Sequence, residues 1–481
     1  MESSLNKLKQ WPEAIKERIM DRKQITTFDA IVIGSGQAGT PLAFKLASEG
    51  QKVAFIEKEH FGGTCVNNGC TPTKAYVASA RRMWEAQHGD ELGIEIPPGT
   101  KANLRAIKTR KDKLVQNSVN GIAKGVENHE NISFFKGEAR FEGDKIVEVN
   151  HTFLTAEEIY INVGGRPFVP DGYEDIPYLT NQSILELEEL PEHLLIIGGS
   201  YIGLEFGQMF SRLGSTVTII ERGKAIIGKE DEETSQTIQR MMEEEGVDFR
   251  LGATCLSAKK NGQGGITAQI NCSKEGRLEI DGSHLLLAVG RRPNTANLQL
   301  EKTGVKIDDK GFIAVNDYLE TNVKGIFALG DCNGKGAFTH TAYNDYEILA
   351  ENKFDGKNRK VSDRITTYGL YVDPPLGRVG ITKKEAQEKG MDVLIGHRPM
   401  NKVARAREKG ETKGYMSVVV DAKTKKILGA TVLGVGGDEI ISGLINMMYA
   451  DKSYEVIRDS VQPHPTVSEL IPTMLESLTK L

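Results

Sequence analysis

One unit of sequence occurs twice in this chain of 481 residues, and it limits what the chain can fold into. Each copy has a short apolar run, a glycine-rich turn, a helical pattern and a second apolar run that ends in glutamate. The first copy reads GSGQAG at 34–39 and VAFIE at 53–57, and the second reads GGSYIG at 198–203 and VTIIE at 217–221. In both copies the glutamate stands 23 residues after the first glycine. A buried strand, a tight turn and a helix produce this pattern, so we predict two α/β domains with parallel sheets.

The residues of the two turns predict two dinucleotide-binding sites. The first glycine permits the tight turn, the second lets the backbone approach a pyrophosphate, and the third allows close packing of helix on strand. The helix N-terminus faces the anion, and the glutamate accepts hydrogen bonds from a ribose diol. Serine replaces the middle glycine of the second copy. The predicted binding residues are Gly34, Gly36, Gly39 and Glu57 in the first copy and Gly198, Ser200, Gly203 and Glu221 in the second.

Two dinucleotide sites in one chain imply two dinucleotides, one where electrons enter and one where they are held. This is the arrangement of a flavoprotein reductase. Glu221 favours NADH over NADPH, because a carboxylate accepts a free 2′-hydroxyl and repels a 2′-phosphate. Arg222 and Lys224 stand close by in sequence and would weaken that preference, which leaves NADP as an alternative.

Composition excludes several classes of protein. Lys and Arg number 61 against 66 Asp and Glu, a net charge of −5 that lacks the basic excess of a nucleic-acid-binding domain. The longest apolar runs, such as 285–289, fall far short of the ~18 residues of a membrane span, and the N-terminus has no apolar segment of a signal peptide. The six basic residues at 101–113 are interpreted as a solvated helix face. We therefore expect a multidomain protein of the cytoplasm without nucleic-acid or membrane partners.

Cys65 and Cys70 lie in the segment GGTCVNNGCTPTK at 62–74. On a regular helix they would be separated by ~7.5 Å of rise, whereas a disulfide needs Cα atoms within about 7 Å. We therefore predict that the helix is interrupted, with Gly69 supplying the freedom and Pro72 in the first turn of the helix that follows. A thiolate near that N-terminus would be stabilised by the helix dipole.

In a cytoplasmic chain such a cysteine pair is more often catalytic or metal-binding than structural. The other cysteines are isolated in sequence and do not complete a zinc site, so we predict no metal centre. We interpret the pair as a redox-active disulfide, with metal ligands and inert core thiols as the alternatives. The isolated cysteines are Cys255, Cys272 and Cys332.

Residues 62–74 resemble the active-site signature of the class I pyridine nucleotide-disulfide oxidoreductases, the family of glutathione reductase, dihydrolipoyl dehydrogenase and mercuric reductase. The resemblance extends from about Phe28 to the C-terminus. It implies an α/β fold with two Rossmann-like dinucleotide-binding domains, for FAD and NAD, and a C-terminal α+β dimerisation domain. The other motifs that carry it are AVGRRPN at 288–294, ALGD at 328–331, PPLGRVG at 374–380 and HPTVSE at 464–469.

The resemblance also implies an order of domains along the chain. The expected divisions are an N-terminal extension at 1–27, the first part of the FAD domain at 28–157, the NAD(P) domain at 158–289, the completion of the FAD domain at 290–360 and the dimerisation domain at 361–481.

By the same resemblance, Cys65 would be the interchange thiol that attacks substrate, and Cys70 the thiol next to the flavin. His464, oriented by Glu469, would act as acid and base for the thiols across the interface of an obligate homodimer. A histidine titrates near ~6.5 and suits that task, and a carboxylate partner fixes its tautomer.

Further residues would bind or flank the cofactors. Lys74 would lie near flavin N5 and pair with Glu205, and Tyr201 would cover the nicotinamide site until the cofactor displaces it. The remaining cofactor-binding residues implied by the resemblance are Gly63, Thr64, Gly164, Gly290 and Asp331, the last of which would bind the ribityl chain.

The substrate is less constrained than the cofactors. Residues 71–74 and 338–345 look most like proteins often grouped with mercuric reductase, yet the sequence shows no N-terminal Cys-x-x-Cys pair and no cysteine near its C-terminus to relay Hg(II). The pair His464 and Glu469 is typical of disulfide reductases. We expect NAD(P)H-dependent reduction of a small disulfide or thiol-reactive oxidant. The alternatives are a mercuric or copper ion reductase, dihydrolipoyl dehydrogenase-like activity, and a flavin redox sensor without a dedicated substrate.

Overall fold

The computed structural model describes residues 25–262, 264–272 and 276–481. The predicted N-terminal extension, except for its last three residues, lies outside the described residues, as do the side chains of Cys255 and Cys272. The chain divides into two compact units. The first comprises the chain up to Cys65 with Ser118–Gly165 and Pro293–Ser362, and the second comprises Val66–Asn117, Arg166–Arg292 and Asp363–Leu481.

Helices and strands alternate along most of the chain, as predicted for an α/β protein. Within the described part of the chain, none of the helices has both the length and the apolar character needed to cross a membrane. The α-helices in the described residues are Gly39–Ser48, Gly63–Asn67, Cys70–Gln87, Leu104–Glu127, Tyr201–Leu213, Glu232–Glu244, Thr339–Phe354, Lys383–Glu388, Ala404–Glu408, Gly437–Tyr449, Glu455–Arg458 and Leu470–Glu476.

A seven-stranded sheet forms the centre of the first unit. Its strand Thr26–Ile33 pairs in parallel with two neighbours, and Ala30, Ile31, Val32 and Ile33 are at most 4% exposed, which explains their continuous apolar run. The strand order is Ile132–Lys136, Val53–Glu57, Thr26–Ile33, Thr152–Ile161, Ile146–Val149 and Arg140–Gly143, with Ile326–Ala328 also paired to Thr152–Ile161.

The second unit contains a five-stranded parallel sheet built on the second copy of the sequence unit. In both copies the last residue of the first strand pairs with the residue before the glutamate: Ile33 with Ile56, and Ile197 with Ile220. The two copies therefore have the same register as well as the same spacing. The strand order is Val247–Leu251, Thr216–Glu221, His193–Ile197, His284–Leu287 and Tyr178–Leu179.

Two antiparallel sheets complete the second unit. One has three strands, Ala253–Lys260, Ile266–Cys272 and Gly276–Gly282. The other, with the helix Gly437–Tyr449 packed against it, forms the predicted C-terminal α+β domain. Its strands run in the order Thr367–Leu370, Leu376–Gly380, Ile427–Leu433, Tyr415–Asp421, Val393–Pro399 and Thr479–Lys480, and short strands also lie at Gly165–Pro167 and Arg291–Pro293.

The interpretation of the basic residues at 101–113 as a solvated face is wrong for Lys111. This residue is 2% exposed, and its ammonium group lies 2.8 Å from Oε1 of Glu186. Lys108 is partly exposed and lies 3.0 Å from a carboxylate oxygen of Asp112 and 3.1 Å from one of Glu186, and these hydrogen bonds raise the pKa of Lys108. Both lysines therefore connect the helix Leu104–Glu127 to Glu186.

Candidate active site

The first glycine-rich turn, in the first unit, has no room for side chains. Gly34 has φ +100°, and a Cβ added there would clash with the backbone oxygen of Asn162. A Cβ on Gly36 would lie 2.8 Å from Oδ1 of Asn162, and one on Gly39 would clash with the carbonyl oxygen of Gly34. Such a turn lets the backbone at the N-terminus of the helix Gly39–Ser48 approach a pyrophosphate, so its shape fits a dinucleotide.

Glu57 is held in place by neighbouring donors. Its Oε2 accepts hydrogen bonds from the backbone N–H of Ser35 at 2.9 Å and from the Ser35 hydroxyl at 2.7 Å, and its Oε1 accepts from the N–H of Glu59 at 2.8 Å. Gly63, with φ +60°, packs against this turn, since an added Cβ would lie 2.9 Å from Cα of Gly36. Thr64 follows it as the second residue of the helix Gly63–Asn67.

Asn162 joins the first turn to the ALGD motif, and the sequence analysis missed it. Its Oδ1 accepts a hydrogen bond from the N–H of Gly39 at 2.9 Å, and its Nδ2 donates to the carbonyl oxygen of Leu329 at 2.9 Å. The side chain is buried. A polar residue placed directly after the buried strand Thr152–Ile161 was the signal that could have found it.

Asp331 lies in a single 3-10 turn, Gly330–Asn333, that a second missed residue holds in place. Asp345 is buried, and its Oδ2 accepts hydrogen bonds from the N–H of Gly330 at 2.8 Å and from Nδ2 of Asn333 at 2.9 Å. Gly164, with φ +63°, accepts at its carbonyl oxygen a hydrogen bond from the N–H of Asn294 at 3.0 Å.

Cys332 follows Asp331 but is unsuited to thiolate chemistry. It is fully buried, and burial raises the pKa of its thiol to about 12. Its Sγ lies 3.3 Å from the carbonyl oxygen of Leu329. Because the thiolate is the nucleophile, burial and a raised pKa both disfavour disulfide exchange at this thiol near neutral pH.

The second glycine-rich turn, in the second unit, repeats the features of the first. Gly198 has φ +112°, and added Cβ atoms at Gly198 and Gly203 would clash with the carbonyl oxygens of Ala288 and Gly198. Glu221 accepts hydrogen bonds from the N–H of Gly199 at 2.6 Å and of Gly223 at 2.5 Å. Ser200, which replaces the middle glycine, is the exposed N-cap of the helix Tyr201–Leu213, and Gly290 has φ +129°.

The segment of the cysteine pair is interrupted as predicted. Cys65 lies in the short helix Gly63–Asn67 and is half-buried. Cys70 is exposed and is the first residue of the helix Cys70–Gln87, whose N-cap is Gly69, and Pro72 lies in the first turn of that helix. The Cys70 thiol therefore lies at a helix N-terminus, where the dipole favours a negative charge.

Lys74 lies one turn after Cys70, and the carboxylate of Glu205 and the ring of Tyr371 hold its ammonium group. Its ammonium group lies 2.7 Å from Oε2 of Glu205, whose side chain is 8% exposed. Oε1 of Glu205 accepts a hydrogen bond from the backbone N–H of Tyr371 at 2.9 Å, and the Lys74 ammonium lies 4.5 Å from the centroid of the Tyr371 ring. A carboxylate and an aromatic face thus hold the cation from two directions.

We expect Glu205→Gln to destabilise the protein by about 1–3 kcal/mol, because the partly buried ammonium of Lys74 loses its charged hydrogen-bond partner. Urea unfolding followed by circular dichroism measures the effect. The matched control is Glu408→Gln, since Glu408 pairs at 3.0 Å with Arg405 on the surface of the same unit and such pairs contribute about 0–1 kcal/mol. Equal losses in both variants would contradict the prediction.

His464 and Glu469 contact each other near the C-terminus. Nδ1 of His464 lies 2.9 Å from Oε2 of Glu469 and 3.1 Å from Oε1. The histidine side chain is 75% exposed, whereas that of the glutamate is 14% exposed. With Nδ1 engaged by the carboxylate, proton exchange with another molecule falls to Nε2.

No group of three or more His, Cys, Asp or Glu side chains that could hold a metal ion occurs among the residues that the structure describes. Most of the predicted site residues lie in the two glycine-rich turns with their glutamates, in the cysteine segment with Lys74, and in the pair of His464 and Glu469. Gly164, Glu205, Gly290 and Asp331 lie outside these three groups.

Residues 28–345 match the family described as pyridine nucleotide-disulphide oxidoreductase, and residues 366–475 match its dimerisation domain. Mercuric reductase of Staphylococcus aureus is 33% identical over 456 residues, which cover 94% of this chain and 83% of the relative. Dihydrolipoyl dehydrogenase of Thermus scotoductus is 34% identical over 458 residues, which cover 94% of this chain and 98% of the relative.

A solved structure is similar over nearly its whole length. The HOCl-induced flavoprotein disulfide reductase RclA from Escherichia coli has a TM-score of 0.85 at 32% identity, covering 93% of this chain and 99% of that chain. Its Cu(II) complex has a TM-score of 0.84 at 32% identity, with 92% and 98% covered.

The chain belongs to the class I pyridine nucleotide-disulfide oxidoreductase family. It is an oxidoreductase of a family whose members depend on FAD and use NAD(P)H, as predicted from the two dinucleotide turns. The dimerisation domain at its C-terminus supports the formation of a homodimer.

Proposed function

We propose that this protein uses NADH, in preference to NADPH, to reduce a Cys65–Cys70 disulfide and through it a small disulfide or thiol-reactive oxidant. The observation that carries the proposal is the position of Cys70, at the N-terminus of a helix and one turn before the Lys74 ammonium that Glu205 holds. The helix dipole favours a thiolate at that position.

The proposal keeps the domain assignments made from the sequence. Residues 28–157 and 290–360 bind FAD, 158–289 bind NAD(P) and 361–481 form the dimer interface; the family matches at 28–345 and 366–475 support the last division. FAD, when bound, supplies the two-electron chemistry that links a hydride donor to a disulfide.

The residues of the chain bind and orient the two nucleotides. The turn at 34–39 and Glu57 bind the pyrophosphate and ribose of FAD, with Asp331 on the ribityl chain. The turn at 198–203 binds the pyrophosphate of NADH. Glu221 favours NADH because its carboxylate accepts the 2′-hydroxyl of the ribose, and the N–H groups of Gly199 and Gly223 fix that carboxylate.

The thiols then carry two electrons to the substrate. Two-electron reduction opens the Cys65–Cys70 bond, and the Cys65 thiolate attacks one sulfur of the substrate disulfide. A mixed disulfide forms, and the first substrate thiolate leaves and takes a proton from His464. Cys70 attacks Cys65 of the mixed disulfide, which restores the Cys65–Cys70 bond and releases the second substrate thiolate, and this thiolate takes its proton from solvent. In an obligate homodimer, His464 serves the thiols of the partner subunit.

Anaerobic titration with NADH and with NADPH tests this proposal. Two-electron reduction should produce long-wavelength absorbance from a thiolate beside the flavin, with NADH effective at lower concentration. Cys65→Ser should retain that absorbance and Cys70→Ser should lose it. The reverse pattern would exchange the roles of the two cysteines, and absence of the band from the wild type would contradict the proposal.

A metal-ion reductase is the second candidate, because one relative is named mercuric reductase and RclA has been solved as a Cu(II) complex. Activity that requires Hg(II) or Cu(II) with added thiol, and fails with every disulfide tried, would select it. Flavin reduction by NADH without multiple turnover on any acceptor would instead favour a redox sensor.

A further inference from the structure

Four residues of the second unit form a largely buried group, here called the Glu230 cluster: Glu230, Tyr201, Tyr368 and Arg378. Glu230 is 3% exposed and Arg378 is 2% exposed. The Arg378 guanidinium is fixed by Nη1, which donates to the carbonyl oxygens of Val379 and Ala430 at 2.9 Å each. The rings of Tyr201 and Tyr368 meet edge to face, with centroids 5.6 Å apart.

The two oxygens of the Glu230 carboxylate differ in their hydrogen bonds. Oε1 accepts hydrogen bonds from both phenol hydroxyls, at 2.5 Å from Tyr368 and 3.1 Å from Tyr201. Oε2 is buried and has no hydrogen-bond partner among the described residues, and the same holds for Nε of Arg378, 3.4 Å away. Buried polar groups are normally satisfied, so these two atoms without a hydrogen-bond partner need an explanation.

Of the two phenols, Tyr201 is the one placed to leave. Its hydrogen bond to Glu230 is the longer one, and Glu230 would keep the hydrogen bond from Tyr368 and the ion pair with Arg378 after its departure. Tyr201 is also the first residue of the helix that follows the turn at 198–203, so it lies where a bound dinucleotide would continue from its pyrophosphate.

We propose that Glu230 is a latch for Tyr201. It holds the phenol in the closed position over the nicotinamide site, and it releases the phenol to a bound dinucleotide without leaving the carboxylate uncompensated. The Tyr368 hydroxyl donates to the same oxygen of Glu230 and also hydrogen-bonds the hydroxyl of Tyr201, so it belongs to the latch. This inference rests on the proposed function, in which Tyr201 covers the nicotinamide site.

If the dinucleotide binds only when Tyr201 is open, its apparent affinity equals the affinity of the open form multiplied by the fraction of molecules that are open. Tyr201→Phe removes only the hydroxyl, so we expect the dissociation constant for NADH to fall about 3- to 10-fold. Tyr368→Phe removes one of the two hydrogen bonds of the Tyr201 hydroxyl and leaves the one to Glu230, so the constant should fall less, about 2-fold. The double variant should behave like Tyr201→Phe, because the hydroxyl that both bonds hold is already absent.

Two measurements on the FAD-loaded protein test the latch. Stopped-flow reduction by NADH separates the apparent dissociation constant from the limiting rate, and the latch predicts the change in the dissociation constant. Calorimetric titration with NAD⁺ gives a binding constant that does not depend on turnover. Tyr415→Phe is the matched control, because it removes a buried hydroxyl, 2.7 Å from Oγ1 of Thr234, in the same unit but outside the cluster.

An unchanged or higher dissociation constant for Tyr201→Phe would overturn the latch. A fall for Tyr368→Phe as large as that for Tyr201→Phe would also overturn it, since that result indicates general loosening. Wild-type protein that binds no NAD⁺ and whose flavin neither NADH nor NADPH reduces would overturn the proposed function, and the latch with it. If the wild type binds NAD⁺ and its flavin is reduced, and the variants have the same dissociation constants as the wild type, the latch is overturned and the proposed function is not.

Discussion

Gly39→Val is expected to give a folded protein that does not retain FAD. A side chain at this position clashes with the carbonyl oxygen of Gly34 and lies 3.0 Å from Oδ1 of Asn162, so the turn must open. Because we propose that this turn binds the pyrophosphate of FAD, we expect FAD affinity to fall by more than about 100-fold, or about 2.7 kcal/mol. The measurement is the visible spectrum after incubation with FAD and desalting, with circular dichroism to confirm folding.

Gly203→Val is the matched variant in the second copy of the unit. Its added side chain clashes with the carbonyl oxygen of Gly198 in the same way. We expect this protein to keep FAD and to lose reduction by NADH, whereas dithionite still reduces its flavin. Retention of stoichiometric FAD by Gly39→Val, or a colourless Gly203→Val, would contradict the assignment of the two turns to their nucleotides.

His464→Gln is expected to lower turnover with a disulfide by about 10²- to 10⁴-fold, the range for loss of a general acid and base. Reduction of the flavin by NADH should stay within about twofold, because that half-reaction needs no thiol proton. Glu469→Gln should cost less, since it removes only the group that orients Nδ1. Equal losses in both half-reactions of His464→Gln would show a structural effect and contradict the assigned role.

Mixed dimers test whether His464 serves the partner subunit. Cys65→Ser and His464→Gln proteins are each expected to be nearly inactive. A mixed dimer of the two would carry both changes in one site and neither in the other, so random mixing should restore about a quarter of wild-type turnover. No recovery on mixing, with mixed dimers demonstrated by differently tagged subunits, would place His464 in the site of its own subunit.

The two nucleotide turns could be predicted from sequence because their geometry depends on local chemistry. Gly34 and Gly198 have positive φ, which side chains rarely allow, and each glutamate follows at the end of the adjacent strand. The interruption between Cys65 and Cys70 was equally local, because it followed from helix geometry. Local requirements of this kind fix the spacing between residues, and that spacing is visible in a single sequence.

The polar residues that contact the first turn, Tyr201 and the helix Leu104–Glu127 could not be predicted from sequence spacing. Asn162 contacts Gly39 across 123 positions, and Glu230 contacts Tyr368 across 138. Neither Asn162 nor Glu230 belongs to a periodic pattern. The hydrogen-bond partners of a single buried polar side chain lie far away in sequence and come close only on folding, so they leave no local signal. The burial of Lys111 was missed for the same reason, because Glu186, which compensates its charge, lies 75 positions away.

The hydrogen bonds to Glu221 have a consequence for the redesign of coenzyme choice. Its carboxylate oxygens accept hydrogen bonds from the N–H groups of Gly199 and Gly223, so the residue proposed to select the coenzyme also holds the adjacent backbone in place. Replacing it by a small neutral residue to admit a phosphorylated ribose would leave both amides without their acceptor. An engineered enzyme for the other coenzyme therefore needs a substitute acceptor for these amides as well as a new cationic contact.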